Sequence, residues 1–121
     1  MCVAEATLVA MDALNRLKFE LLAGPRKPFL KEMPRRSICA EIGVHEGAFA
    51  RKILNFLDPV RLHLIDPWKH EEDEKYSGAL YGGLGPGGQD LMNGRHDKVI
   101  RLFHEEIHSG RVVIHRESSN P

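Results

Sequence analysis

The stretch CAEIGVHEG, residues 39–47, and the stretch LHLIDPW, residues 62–68, decide the fold of this 121-residue chain. The first has the pattern of a short apolar strand that enters a glycine turn and then a helix. The second has the pattern of a strand that ends on a carboxylate, Asp66, 23 residues after Gly43. A glycine turn with an acidic residue roughly 20 positions later is the layout of a nucleotide-type site in a doubly wound α/β sheet.

The residues around these two stretches complete a strand–helix–strand unit. We predict a buried strand over residues 37–42, a helix over 47–57 that Asp58-Pro59 ends, and a second strand over 61–65. Such a unit of about 30 residues builds parallel sheet.

The second half of the chain predicts one more helix and one more strand. Residues 69–88 are first acidic and then rich in glycine, which indicates a loop at the ligand-binding edge of the sheet. The helical period returns over residues 89–108, with Met92, Val99, Leu102, Phe103 and Ile107, and residues 111–115 form a third strand. The predicted fold is α/β, a partial Rossmann-like doubly wound parallel sheet of about three strands.

An N-terminal segment, residues 1–36, precedes this domain. Apolar residues recur at helical spacing between Ala4 and Leu22, which predicts an amphipathic helix that ends at Gly24-Pro25. Residues 25–36 contain three prolines and several basic side chains, and we expect a linker without regular helix. Residues 37–121 form the second unit.

Composition excludes several classes of protein. Seventeen basic residues balance seventeen acidic ones, so no long-range attraction to nucleic acid is expected. No apolar run approaches the roughly 20 residues of a membrane span, and the N-terminus lacks the basic region of a secretory signal. A cytoplasmic location is therefore the expectation. The cysteines Cys2 and Cys39 form no disulfide framework.

The first turn suits a ligand without phosphate. Its spacing is Gly-x-x-x-Gly, and Glu41 and Glu46 flank it, which disfavours a pyrophosphate at the helix N-terminus. Carboxylates suit an ammonium group and hydroxyls, and Asp66 can accept two hydrogen bonds from a ribose diol. A nucleoside with an amino-acid tail fits this pattern better than NAD does.

These residues carry a family resemblance. Residues 41–47, EIGVHEG, resemble motif I of the class I S-adenosylmethionine-dependent methyltransferases, and residues 64–68, LIDPW, resemble their second acidic motif. The stretch SGRVVIHR, residues 109–116, with Ser118 after it, is similar to a stretch typical of methyltransferase family 24. The resemblance covers roughly residues 37–119.

The resemblance implies a cofactor site for S-adenosylmethionine. It places Gly43 and Gly47 on the methionine side, Glu41 close to that end, Asp66 on the ribose hydroxyls, and the region of Ser118 near the adenine. His45 lies within the turn and is expected to border the pocket. The implied function is methyl transfer to a small-molecule acceptor, with no catalytic residue assigned.

The resemblance also implies further strands beyond the third. We therefore expect the chain to be truncated to the cofactor-binding half of the domain, with independent activity in doubt. The strand over residues 38–42 would then have an exposed apolar edge. A second copy of this chain is a candidate partner, through that edge or through the N-terminal helix.

Two alternative functions stay open. One is a non-catalytic remnant or assembly module. The other is a zinc hydrolase, because His104, Glu105 and His108 match the pattern His-Glu-x-x-His, which puts both histidines on one face of a helix. Only His115 follows as a further histidine, so we expect no metal site.

Overall fold

A computed structural model describes residues 27–79, 81–82 and 87–119 of the chain. The helix predicted between Ala4 and Leu22 lies outside the described residues. The elements are, in order, α1 (Lys27–Glu32), β1 (Ile38–Ile42), α2 (Ala48–Leu57), β2 (Arg61–Ile65), a 3₁₀ turn (Glu74–Tyr76), α3 (Gly88–Leu102), α4 (His104–His108) and β3 (Val112–His115).

The three strands form one parallel sheet in the order β1-β2-β3. Ile38 pairs with Arg61 at the start of the β1–β2 ladder, and Leu62 pairs with Val112 at the start of the β2–β3 ladder. Helices alternate with the strands along the chain, as parallel crossover connections require. The predicted α/β class with three parallel strands is confirmed.

Helix α2 packs one apolar stripe against this sheet. Its buried side chains, at helical spacing, belong to the same core cluster as strand residues Cys39, Leu62 and Leu64. Asp58 ends the helix in a left-handed conformation with φ 45°. The guanidinium of Arg111 then donates to the Asp58 carboxylate at 2.7 Å, which ties this turn to the start of β3.

The described helices leave the other face of β1 exposed. Buried and exposed residues alternate along β1, and Ile38 and Ile42 are 68% and 67% exposed. The prediction of a buried β1 was therefore wrong for one of its two faces. Period-2 alternation fixes which residues share a face, and here only the face of Cys39 is covered. Among the described residues β1 pairs with β2 alone and lies at the edge of the sheet.

The linker prediction is also corrected. Residues 27–32 form helix α1, although Pro28 lies within it. Proline is tolerated in the first turn of a helix, where its missing N–H would have no intrahelical partner. Leu30 anchors the helix because its side chain is 1% exposed and belongs to the core.

The helix predicted over residues 89–108 is two helices. Phe103 separates α3 from α4, with φ −111° and ψ 25°, and its side chain is completely buried. Leu102, one of the apolar residues of the predicted helical period, is 41% exposed. The break at Phe103 turns its ring into the core, against Gly47.

No helix in the described part of the chain is long and apolar enough to cross a membrane.

Candidate functional site

A pocket of about 670 Å³ lies at the carboxyl ends of β1 and β2. Its floor includes Ile42 and Gly43 after β1, and Ile65 and Asp66 after β2. The remaining walls come from residues 67–79 and Tyr81, from helix α3 and from the chain after β3. Ligands of open α/β sheets bind at this end of the strands, so the topology and the cavity indicate the same location.

The carboxylate of Asp66 holds the first turn in place. Its Oδ2 accepts hydrogen bonds from the backbone N–H of Val44 at 2.8 Å and of His45 at 3.0 Å. Its Oδ1 accepts the backbone N–H of Trp68 at 2.8 Å. One side chain thus joins the turn after β1 to the loop after β2.

Two residues held by Asp66 have left-handed backbones. His45 has φ 58° and Trp68 has φ 40°, values that residues other than glycine rarely adopt. The indole Nε1 of Trp68 also donates to the carbonyl oxygen of His45 at 2.8 Å. Such conformations persist where the surroundings impose them, and they cluster at ligand-binding sites.

The loop after β2 is further fixed by helix α3. The side-chain amide of Gln89 donates to the carbonyl oxygen of Trp68 at 2.8 Å, and its oxygen accepts the N–H of His70 at 2.9 Å. Arg116 donates to the same Trp68 carbonyl at 3.4 Å and also binds the side chain of Asn93. Trp68 is 1% exposed, so its indole is a buried wall of the pocket.

Four of the six predicted cofactor residues line the pocket. They are Gly43, His45, Asp66 and Ser118. Gly43 has φ 83°, and a Cβ built on it meets no atom within 4 Å, so the backbone of the turn faces open space. Among the described residues Nε2 of His45 is buried without a hydrogen-bond partner.

Gly47 and Glu41, the other two, do not line the pocket. A Cβ on Gly47 would lie 2.9 Å from Cε2 of Phe103, so this glycine permits close packing of α2 against the Phe103 ring. Glu41 is 7% exposed and lies on the covered face of β1, together with Cys39. The strand's alternation places its side chain under the helices rather than at the turn.

Glu46, the second carboxylate expected at the turn, also lies outside the pocket lining. It accepts a hydrogen bond from Nζ of Lys98 at 3.0 Å. That hydrogen bond, together with the positive charge of Lys98, lowers the pKa of Glu46 from its ordinary value of 4.5. The residue links the turn to α3.

Several pocket residues were missed by the sequence analysis. The loop after β2 supplies Lys69 and Glu71, and α3 supplies Arg95 beside Met92. The same loop, expected at the ligand-binding edge of the sheet, also supplies Tyr76 and Tyr81. Glu71 is fixed by its backbone, because its N–H donates to the carbonyl of Tyr81 at 2.8 Å and it forms a parallel bridge with Gly82. The acidic run of residues 71–74 was the only available signal for it.

The histidines of the zinc-type motif lie away from the pocket. His104 and His108 are exposed on the five-residue helix α4. In the described ranges no group of three or more histidine, cysteine or acidic side chains is placed to hold a metal ion. The geometry gives the zinc hydrolase no support.

A comparison of the chain with protein-family models, with curated proteins and with solved structures finds no match.

Proposed function

We propose that this chain binds S-adenosylmethionine in the pocket at the ends of β1 and β2 and provides the cofactor half of a methyltransferase. The single observation that carries the proposal is the turn of residues 43–45, whose open backbone is held at the pocket by the Asp66 carboxylate. Backbone that approaches a ligand closely is the usual purpose of glycine at this point of an α/β sheet.

The charges of the pocket support a zwitterionic ligand. Its lining contains the carboxylates of Asp66 and Glu71 and the cationic side chains of Lys69 and Arg95. An amino-acid tail carries both an ammonium and a carboxylate group, so a pocket lining with charges of both signs is compatible with it. The N-terminal turn of α2, which would favour a phosphate, is not part of the lining.

The aromatic residues support a nucleoside. Tyr76 and Tyr81 lie side by side with ring centroids 5.9 Å apart, and both line the pocket together with Ser118. Aromatic rings stack on nucleobases, since every base presents a π face. The aromatic rings and the charges of the lining therefore support a ligand that combines a base, a sugar and an amino-acid tail.

When bound, S-adenosylmethionine supplies an electrophilic methyl group. The turn of residues 43–45 and the other lining residues would hold and orient it, and the buried indole of Trp68 would keep water away from that wall of the pocket.

Calorimetric titration with S-adenosylhomocysteine tests the proposal. We expect saturable binding with a Kd below ~1 mM for the wild-type chain. Gly43→Val places a branched side chain into the open space at the turn and is expected to abolish binding. Glu105→Gln, an exposed change on α4, is the control and should bind like wild type. Wild-type protein that shows no binding at millimolar ligand would overturn the proposal.

A further inference from the structure

Two carboxylates line the pocket among the described residues, Asp66 and Glu71, and their surroundings differ. An ionised carboxylate offers about four acceptor positions, two on each oxygen. Asp66 uses three of them on backbone N–H groups, with both positions of Oδ2 occupied by Val44 and His45. One position, on Oδ1, is left.

A ribose diol presents two hydroxyl donors. One carboxylate accepts both only when each of its oxygens has an unoccupied acceptor position. Asp66 does not meet this condition while it holds the turn. Releasing the N–H of His45 would remove one of the two contacts that hold the left-handed backbone of that residue. The carboxylate of Asp66 is therefore used to hold the protein backbone and is not available to both hydroxyls of a ribose.

Glu71 has the opposite character. Among the described residues its side chain forms one ion pair, with Nζ of Lys69 at 3.3 Å, and the side chains of Lys69 and Glu71 are 65% and 36% exposed. An exposed ion pair of this kind is weak and easily exchanged for a ligand contact. The backbone of Glu71 is nevertheless fixed by Tyr81 and Gly82, so the carboxylate starts from a defined point of a lining that also contains Tyr76 and Tyr81.

We infer that Glu71 is the carboxylate that accepts the hydroxyl groups of a bound nucleoside, and that Asp66 is a positioning residue for the turn. This inference rests on the proposed function, because it assigns the sugar contacts of the same ligand. It also reverses the role of Asp66 that the sequence resemblance implies. The ligand class it specifies is a nucleoside with free 2′ and 3′ hydroxyls.

Calorimetry with adenosine and 2′,3′-dideoxyadenosine distinguishes the two carboxylates. For wild type we expect loss of the hydroxyls to lower the affinity about tenfold or more, as hydrogen bonds to a charged acceptor do. In Glu71→Gln the ratio of the two affinities, adenosine to 2′,3′-dideoxyadenosine, should fall to within about threefold. In Asp66→Asn both nucleosides should bind more weakly by a similar factor, so the ratio remains. Glu72→Gln, an exposed neighbour, is the matched control.

Amide chemical shifts of the ligand-free protein provide a second readout. Asp66→Asn should move the backbone N–H signals of Val44, His45 and Trp68, and Glu71→Gln should leave them unchanged. A merely destabilising change would lower the melting temperature without altering these signals in the folded protein.

The possible failures are distinguishable. Wild-type protein that binds neither adenosine nor S-adenosylhomocysteine overturns the proposed function together with this inference. Binding with an unchanged hydroxyl ratio in Glu71→Gln overturns the inference alone. The measurement on Glu71→Gln tests the inference even if Asp66→Asn does not fold, since Glu71 is a partly exposed side chain whose replacement leaves the core intact.

Discussion

The indole Nε1 of Trp68 lies 2.8 Å from the carbonyl oxygen of His45, and both residues have positive φ angles. Each left-handed residue costs about 1–3 kcal/mol, so the surrounding contacts must hold it there. The indole hydrogen bond and the Asp66 carboxylate provide these contacts from two directions. This part of the pocket wall therefore consists of two strained residues, His45 after β1 and Trp68 after β2, which are hydrogen-bonded to each other.

Trp68→Phe removes the indole donor and keeps an aromatic ring in the core. The carbonyl of His45 then loses its partner in a part-buried place, so we expect the free energy of unfolding to fall by at least about 1–3 kcal/mol. Urea denaturation followed by circular dichroism measures this change. Tyr81→Phe, at a ring 47% exposed, is the control and should change stability little. A Trp68→Phe protein as stable as wild type would mean that the indole bond contributes nothing.

His45→Gly should keep stability and lose ligand binding. Glycine adopts φ 58° without strain, and the change removes the buried Nε2 that has no partner among the described residues. We expect the free energy of unfolding to stay unchanged or rise by up to about 1 kcal/mol. The affinity for S-adenosylhomocysteine should fall, because one pocket wall is missing.

The neighbouring residue supplies the control for His45→Gly. Val44 is 3% exposed and does not have a positive φ angle. Val44→Gly should therefore lower the free energy of unfolding by about 2 kcal/mol or more. Urea midpoints of the two variants are compared directly. Equal losses in both would show that His45 is not strained.

Local patterns predicted some elements of this fold well. Strand β2 was expected over residues 61–65 and occupies Arg61–Ile65, because apolar alternation begins after Asp58-Pro59 and ends at an acidic residue. The location of Asp66 at the pocket follows from the same pattern, since parallel strands end at one edge of the sheet.

Other features depend on contacts between distant parts of the chain. A glycine in a turn is needed either for a ligand or for packing, and only the position of Phe103 shows that Gly47 serves packing. The alternation of β1 groups Glu41 with Cys39 but does not reveal which face the helices cover. Glu71 enters the pocket through its bridge with Gly82, which no local periodicity encodes.

Gly47→Ala and Gly43→Ala should separate packing from ligand binding. Both sites have positive φ, so each alanine costs about 1–2 kcal/mol in backbone strain. Gly47→Ala adds a clash with the Phe103 ring, worth about 1–3 kcal/mol more. Thermal and urea unfolding should therefore rank Gly47→Ala as the less stable variant. Affinity for S-adenosylhomocysteine should fall for Gly43→Ala. If Gly43→Ala were the less stable variant and Gly47→Ala the weaker binder, the packing role of Gly47 and the binding role of Gly43 would be contradicted.

The ion pair of Glu46 and Lys98 predicts a small loss of stability in acid. The pKa of Glu46 is lowered in the folded state, so its contribution is present above the ordinary value of 4.5 and is lost as the pH falls through the lowered value. Both side chains are more than a third exposed, so the pair contributes less than about 1 kcal/mol.

Urea unfolding of wild type and Lys98→Gln across this acid range tests the sign. The difference between the two proteins should be greatest at neutral pH and should shrink as the pH falls below 4.5. Added salt should reduce it at neutral pH. Glu105→Gln, an exposed change on α4, is the control variant. A difference that grows in acid would contradict the assigned direction.

Arg51→Lys should weaken the packing of α2 on the break between α3 and α4. Its guanidinium donates to Glu106 Oε1 at 3.0 Å and to the carbonyl of Leu102 at 2.8 Å, and it lies 4.7 Å from the centre of the Phe103 ring. Lysine has the same charge but a single ammonium group, which does not reach all three partners from one position. We expect the free energy of unfolding to fall by about 1–2 kcal/mol.

The control for this change is Arg101→Lys, at an exposed arginine on α3, which should be nearly neutral. A double-mutant cycle of Arg51→Lys with Glu106→Gln then separates the carboxylate contact from the other two. Because Leu102 and Phe103 remain as partners, Arg51→Lys should still destabilise the Glu106→Gln background. If it does not, the ion pair alone accounts for Arg51, and the guanidinium has no role in holding the end of α3.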